Sequence, residues 1–178
     1  MSATEHVILV DENDKEVGTA EKIQAHRESL RHRAFSVFIF RNAQGSELLL
    51  QQRANGKYHS SGLWTNTCCS HPRPGEDVLL AGQRRLQEEM GFSVPLTSLG
   101  WFHYIAAFNN GLTENEIDHV LVGTIGHEKV SPDKNEVKDY RWVNVMDLKN
   151  EILEDPDQFT PWLALALEMI SEKKNSAL

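Results

Sequence analysis

Two thiols and an imidazole, Cys68, Cys69 and His71, fall within four residues and run into a stretch dense in charge: Glu76, Arg84, Arg85, Glu88 and Glu89. An ionised thiol is a base or nucleophile, an imidazole ligates metal, and carboxylates suit hard cations. Adjacent cysteines bridge only with strain, and two are too few for a disulfide framework, so both read as free thiols in a reducing compartment. A free cysteine is most often an inert core residue. Cys69 has a second reading, because it precedes His71 by two and lies ahead of a helix start that favours anions. Nearby cations and a metal are expected to lower its pKa from the ordinary ~8.5. Cys68 points the other way in an extended segment and reads as structural.

Elsewhere the chemistry-bearing residues are scattered. His26, His32, His71, Glu114 and Glu116 would together give three imidazoles and two carboxylates, a mixed nitrogen and oxygen set suited to zinc, manganese or ferrous iron. Glu114 and Glu116 are separated by two, so on a strand both face one side. By residue type alone, solvated acids and surface histidines are the commoner outcome for such a set. Lys22, Arg53 and Lys57 are equally compatible with an anion site and with a solvated surface. Tyr104 and Trp162 are by default core aromatics.

These residues need a scaffold. Leu79, Leu86 and Met90 recur at helical spacing, Arg85 and Glu89 sit one turn apart on the flank of that stripe, and Gly91 supplies a left-handed stop. His6 to Val10 reads as a first strand closed by a turn over Asp11 to Lys15. Glu21 to Leu30 reads as a short helix. Ala34 to Phe40 and Glu47 to Arg53 form a hairpin about the turn Asn42 to Gly45, and Ala54 to Gly62 is a polar loop. Further strands are expected at Trp101 to Phe108, Glu116 to Ile125 and Asp139 to Val143, with a turn at Asn109 to Gly111. Helices are expected at Val145 to Leu153 and at Pro161 to Lys173, the latter capped by Thr160. Strands, helix, strands, helices is the order of an α+β fold.

The totals set outer limits. The chain has 178 residues, 40% of them hydrophobic and 25% charged, which suits one domain over 1–178 with a core of its own. A net charge of −8 argues against nucleic acid as partner and leaves room for a small anion held by local cations or metal. No apolar run approaches the ~20 residues of a membrane span, and the first residues lack a signal pattern, so a cytoplasmic location is expected.

The charged helix resembles the Nudix box: Gly, five residues, Glu, seven residues, then Arg-Glu-apolar-x-Glu-Glu-x-Gly-apolar. Glu76, Arg84, Leu86, Glu88, Glu89, Gly91 and Phe92 match it. Ser70 stands where the box opens with glycine, and Arg85 stands where its first helical glutamate would be. In the hydrolases of that superfamily the box carboxylates gather metal, so a cation among them argues against hydrolysis. Thr65-Asn66-Thr67-Cys68-Cys69-Ser70-His71-Pro72, together with Glu114-Asn115-Glu116, sharpens the likeness to the type 1 isopentenyl diphosphate isomerases, which share the Nudix fold. The similarity runs from about Glu5 to about Trp162.

The resemblance implies a Nudix fold, a mixed β-sheet sandwich with flanking helices. It implies reversible movement of a double bond between isopentenyl and dimethylallyl diphosphate through a tertiary carbocation. Glu116 would give the first proton, helped by Tyr104. Cys69 would take the second, and Trp162 would line the pocket beside the cation. Lys22, Arg53, Lys57 and Arg85 would hold the diphosphate. One Mn2+ or Zn2+ ion would sit on His26, His32, His71, Glu114 and Glu116. A Mg2+ ion would arrive with the diphosphate on Glu89 and the backbone carbonyl of Cys69. The partner would be a small molecule, with neither nucleic acid nor membrane, and the assembly a monomer or homodimer. A Nudix pyrophosphohydrolase and a non-catalytic Nudix module are the alternatives.

Overall fold

A computed structural model describes residues 5–176. In chain order the elements are β1 (His6–Val10), β2 (Glu16–Glu21), α1 (Lys22–Arg27), β3 (His32–Phe40), β4 (Glu47–Arg53), β5 (Trp64–Thr65), β6 (Cys68–Ser70), α2 (Val78–Met90), β7 (Thr97–Ala107), β8 (Thr113–Thr124), β9 (Val137–Asn144), α3 (Val145–Glu154) and α4 (Pro161–Ser176).

The apolar strand β3 is the centre. It pairs in parallel with β8 along its whole length, from His32↔Glu116 to Phe40↔Thr124. It also meets β6 antiparallel at Phe35↔Ser70, Ser36↔Cys69 and Val37↔Cys68. Strand β7 continues the sheet beyond β8, and β9 pairs with β4. A strand with a parallel neighbour is covered on both faces, and β3 is. Phe35, Val37 and Ile39 pack with Leu86 and Met90 of α2. Phe38 and Phe40, from the alternate set, pack with Leu148 of α3 and Leu163, Leu167 and Ile170 of α4. The result is a mixed, curled sheet flanked by helices, as the α+β Nudix expectation had it.

Local chemistry sets the ends of α2. The Asp77 carboxylate accepts from the amides of Leu79 and Leu80 at 2.9 and 3.2 Å and so satisfies the first orphan donors. Gly91 ends the helix at φ 77°, where a side chain is disfavoured. A Cβ there would also collide with the carbonyl oxygen of Ser131.

Several boundaries differ from the sequence reading. The first helix is Lys22–Arg27, begun by Glu21 as cap, and Ser29 at φ 53° follows it. Strand β2 went unread because its Glu-Val-Gly-Thr-Ala-Glu sequence lies largely exposed at the sheet edge. Strands β7 and β8 extend past the apolar runs that marked them. The Thr160 hydroxyl meets that of Thr65 at 2.8 Å and pins the start of α4 to β5. Among the described residues no helix is long and apolar enough to cross a membrane.

Candidate active site

Sheet register builds the site. Glu116 stands between His32 on β3 and Tyr104 on β7, each its cross-strand partner, so three side chains of one row face the same side. The Tyr104 hydroxyl donates to Glu116 Oε2 at 2.6 Å. His32 Nε2 lies 3.3 Å and His71 Nε2 2.8 Å from Glu116 Oε1. Two places earlier on β8, Glu114 points to the same side, with His26 Nε2 3.2 Å from its Oε2.

The five predicted ligands come together: one donor atom from each of His26, His32, His71, Glu114 and Glu116 lies within 4.8 Å of all the others. Their arrangement fits a cation. The Nδ1 atoms of His26 and His32 approach the carbonyls of Lys22 and Leu30 at 2.6 and 2.7 Å. That leaves Nε2 of each with a lone pair turned inward. His26 Nε2, His32 Nε2 and Glu114 Oε2 are buried without a hydrogen-bond partner. Acceptors crowded around one point repel unless positive charge lies among them. Burial and the charge of Glu116 push Glu114 up to about 8. Burial would raise Glu116 too, but contacts from His32 and His71 outweigh it and hold that carboxyl well below its usual range.

Strand alternation separates the two cysteines. Cys68 pairs with Val37 and lies in the α2-side core, fully buried. Cys69 pairs with Ser36, and both line the cavity that holds the ligand cluster. Because β6 and β8 flank β3 on opposite sides, Cys69 and Glu116 enter that cavity from different directions. Burial pushes the Cys69 thiol up to about 12, and Arg53, whose Nη1 lies 3.5 Å from Sγ, offsets this only in part.

Trp162 opens α4 and walls the same cavity. Its indole N–H donates to Asn66 Oδ1 at 3.0 Å, and the Asn66 amide donates in turn to the Cys68 carbonyl at 2.7 Å. Wall and thiol strand are therefore tied through one buried side chain.

All four predicted cations line the cavity, each with company. Lys22 pairs with Glu5 at 2.8 Å and lies over the Tyr58 ring. Lys57 pairs with Glu136. Arg85 contacts Glu89, with Glu88 at 2.7 Å and Glu136 at 3.5 Å. Arg53 stands 5.7 Å over the Trp162 ring. Glu89 is buried at the cavity edge, where Gln51 donates to its Oε2 at 2.9 Å. The inner cavity measures about 50 Å3. A cleft of about 710 Å3 shares Lys22, Lys57, His71 and Arg85 with it and adds Arg73 and Arg84.

Four contributors were not foreseen: His59, Tyr58, Glu136 and Asp118. His59 and Tyr58 come from the Ala54 to Gly62 loop, whose polar sequence carries no sign that it folds back over the site. Asp118 continues the Glu114 and Glu116 face of β8. It accepts from Ser36 Oγ at 2.8 Å, and burial with the charge of Glu116 pushes it well above its usual range. The period of two along β8 would have found it.

The fold is shared. A crystal structure from Deinococcus radiodurans is similar at a TM-score of 0.70 with 20% identity, covering 92% of this chain and 98% of that one. A MutT protein from Methanosarcina mazei Go1 is similar at 0.65 with 18% identity, covering 81% and 95%. The NUDIX domain family matches residues 30–163, and the chain is a Nudix protein. Closer relatives narrow the family. The isopentenyl-diphosphate Delta-isomerase of Photobacterium profundum is 47% identical over 180 residues, covering 99% of both chains. That of Serratia proteamaculans is 49% identical, covering 89% of this chain and 87% of its own. Within the Nudix proteins, this chain belongs to the isopentenyl-diphosphate Delta-isomerases.

Proposed function

We propose that the chain, acting as one Nudix-type domain over 1–178, interconverts isopentenyl and dimethylallyl diphosphate. The observation that carries the reading is that Cys69, Glu116, Tyr104 and Trp162 line one buried cavity that opens into a basic cleft.

The two diphosphates differ only in where a double bond sits. The forward reaction adds a proton to the terminal methylene and removes one from the carbon nearer the diphosphate. Between the two steps the substrate is a tertiary carbocation, too unstable to form unaided in water. Glu116 gives the first proton. Because its imidazole contacts favour the ionised carboxylate, it has to take up a proton before each forward turnover, and the Tyr104 hydroxyl bonded to Oε2 is a donor in contact with it. Cys69 takes the second as a thiolate, a state that Arg53 beside its sulfur favours over what burial alone allows. The pair exchange roles in the reverse direction. Trp162 offers its ring to the cation, a contact worth about 2 kcal/mol when desolvated. Lys22, Arg53, Lys57 and Arg85 hold the diphosphate and convert its binding energy into orientation of the carbon chain.

His26, His32, His71, Glu114 and Glu116 would hold a Zn2+ or Mn2+ ion, and Glu89 with the Cys69 carbonyl would hold a Mg2+ ion arriving with the diphosphate. Such ions supply positive charge that neutralises buried carboxylates and phosphate oxygens. A hydrolytic reading is disfavoured because Arg85 occupies a box position and contacts the box acids Glu88 and Glu89.

The deciding experiment is proton NMR of isopentenyl diphosphate with the protein and Mg2+ in deuterated water. Dimethylallyl diphosphate should appear, with deuterium in a methyl group. Inorganic phosphate released from intact isoprenoid or nucleoside diphosphates, with no isomer formed, would replace the reading by hydrolysis.

A further inference from the structure

His59 stands outside the five-residue cluster and outside the acid–base pair, yet it is among the most tightly held side chains of the site. It is 6% exposed. One ring face stacks on Phe108, with centroids 4.7 Å apart and planes 10° from parallel, and Trp162 meets it edge-on at 6.0 Å. Ser60 Oγ lies 3.2 Å from its Nδ1, and Arg53 donates to its backbone carbonyl at 3.2 Å. Held so, its Nε2 lies 2.5 Å from Oε1 of Glu114. At that separation Nε2 is in polar contact with the carboxylate oxygen, and the ring brings a donor to it as the tautomer that carries its hydrogen on Nε2. The other oxygen of Glu114, Oε2, is the one buried without a hydrogen-bond partner and facing His26.

We infer that His59 is a positioning residue for the cluster, fixing Glu114 through Oε1 so that Oε2 is presented toward His26 and the ion. The inference rests on the cluster being a metal centre. The same ring backs onto Trp162, so ligand geometry and the hydrocarbon wall share one support. Outer partners of ligating carboxylates commonly govern metal affinity by 10–100-fold.

The experiment measures zinc affinity by competition with a chromophoric chelator, without substrate. It compares the wild type with His59→Gln, which can reach the same oxygen with an N–H, and His59→Phe, which keeps only the stacking ring. His59→Phe should weaken zinc binding about 10–100-fold, and His59→Gln should recover most of the loss. Glu114→Gln gives a second arm: once the carboxylate is gone, adding His59→Phe should weaken binding no further. Unchanged affinity in His59→Phe, equal losses in Phe and Gln variants, or additive losses in the double variant would each overturn the inference while leaving the metal centre standing. A wild type that binds no zinc yet isomerises would remove the metal centre itself, and the role of His59 with it.

Discussion

Tyr104 and Glu116 face one another across neighbouring strands, and the phenol donates to the carboxylate at 2.6 Å inside a buried cavity. A hydrogen bond to a charged acceptor is worth about 1.5–3 kcal/mol where water cannot replace it. Tyr104→Phe should therefore lower kcat about 10–100-fold, since each ~1.36 kcal/mol is tenfold. KM should stay near wild type, because the basic cleft is untouched, while zinc affinity should fall because the phenol bonds the ligand Glu116. Steady-state kinetics with elemental analysis tests this, and a loss confined to KM would place Tyr104 in binding instead.

The two cysteines offer an internal control. Cys69→Ala should abolish isomerisation while leaving the fold and diphosphate affinity near normal. Cys68→Ala should keep most activity and lower stability by about 1 kcal/mol through the small void it leaves in the α2-side core. Turnover and thermal melting of both variants suffice. Equal loss of turnover from both, with intact circular dichroism, contradicts the assignment.

Metal removal should separate the two ions. Purified protein is expected to carry roughly one zinc or other transition metal per chain, lost in His71→Ala, while Mg2+ binds mainly with the diphosphate. Dialysis against chelator should abolish turnover, and readdition of zinc or manganese with Mg2+ should restore it. By the usual order of affinities zinc is recovered whichever ion the cell supplies. Full activity after exhaustive chelation would refute the metal centre.

Gly91 tests the scaffold independently of the chemistry. Alanine there meets a left-handed backbone, costing about 1–2 kcal/mol, and a clash with the Ser131 carbonyl besides. Gly91→Ala should melt well below wild type, and its folded fraction should retain near-normal KM. An unchanged melting temperature would mean that both the backbone turn at Gly91 and the loop at Ser131 yield freely.

How much of this was legible in the sequence depended on whether the signal was local. The apolar run of β3, the apolar stripe and Gly91 stop of α2 and the period-two pair on β8 are local patterns, and each lies in an element of the kind it marked. Strand β2 shows no such pattern, since its residues pair with β1 at an exposed edge. Strand β6 is three residues long, too short for any periodicity, yet its register alone decides which cysteine faces the cavity. Sequence shows the cations near Cys69 and not the depth of its burial, which opposes them. Tyr58, His59 and Glu136 escaped for a related reason. A polar loop looks the same whether it meets solvent or folds over a metal cluster, and only tertiary contact tells the two apart.

Trp162 gives a test for the cation itself. If its ring stabilises a positive carbon, its contribution is electronic as well as steric. Phenylalanine keeps an aromatic face with a weaker quadrupole, and leucine keeps apolar bulk without one. Both lose the indole N–H that Asn66 accepts, so that cost is common to the two variants. Turnover should fall in the order Trp, Phe, Leu, and affinity for a substrate analogue with ammonium in place of the cationic carbon should fall in the same order. Affinity for isopentenyl diphosphate should move much less, because the ground state carries no positive carbon. Titrating analogue and substrate against the three forms gives the comparison. Equal weakening of both ligands would make Trp162 a wall of the pocket, and the cation would then need another stabiliser, with the Tyr104 ring 6.2 Å away the next to test.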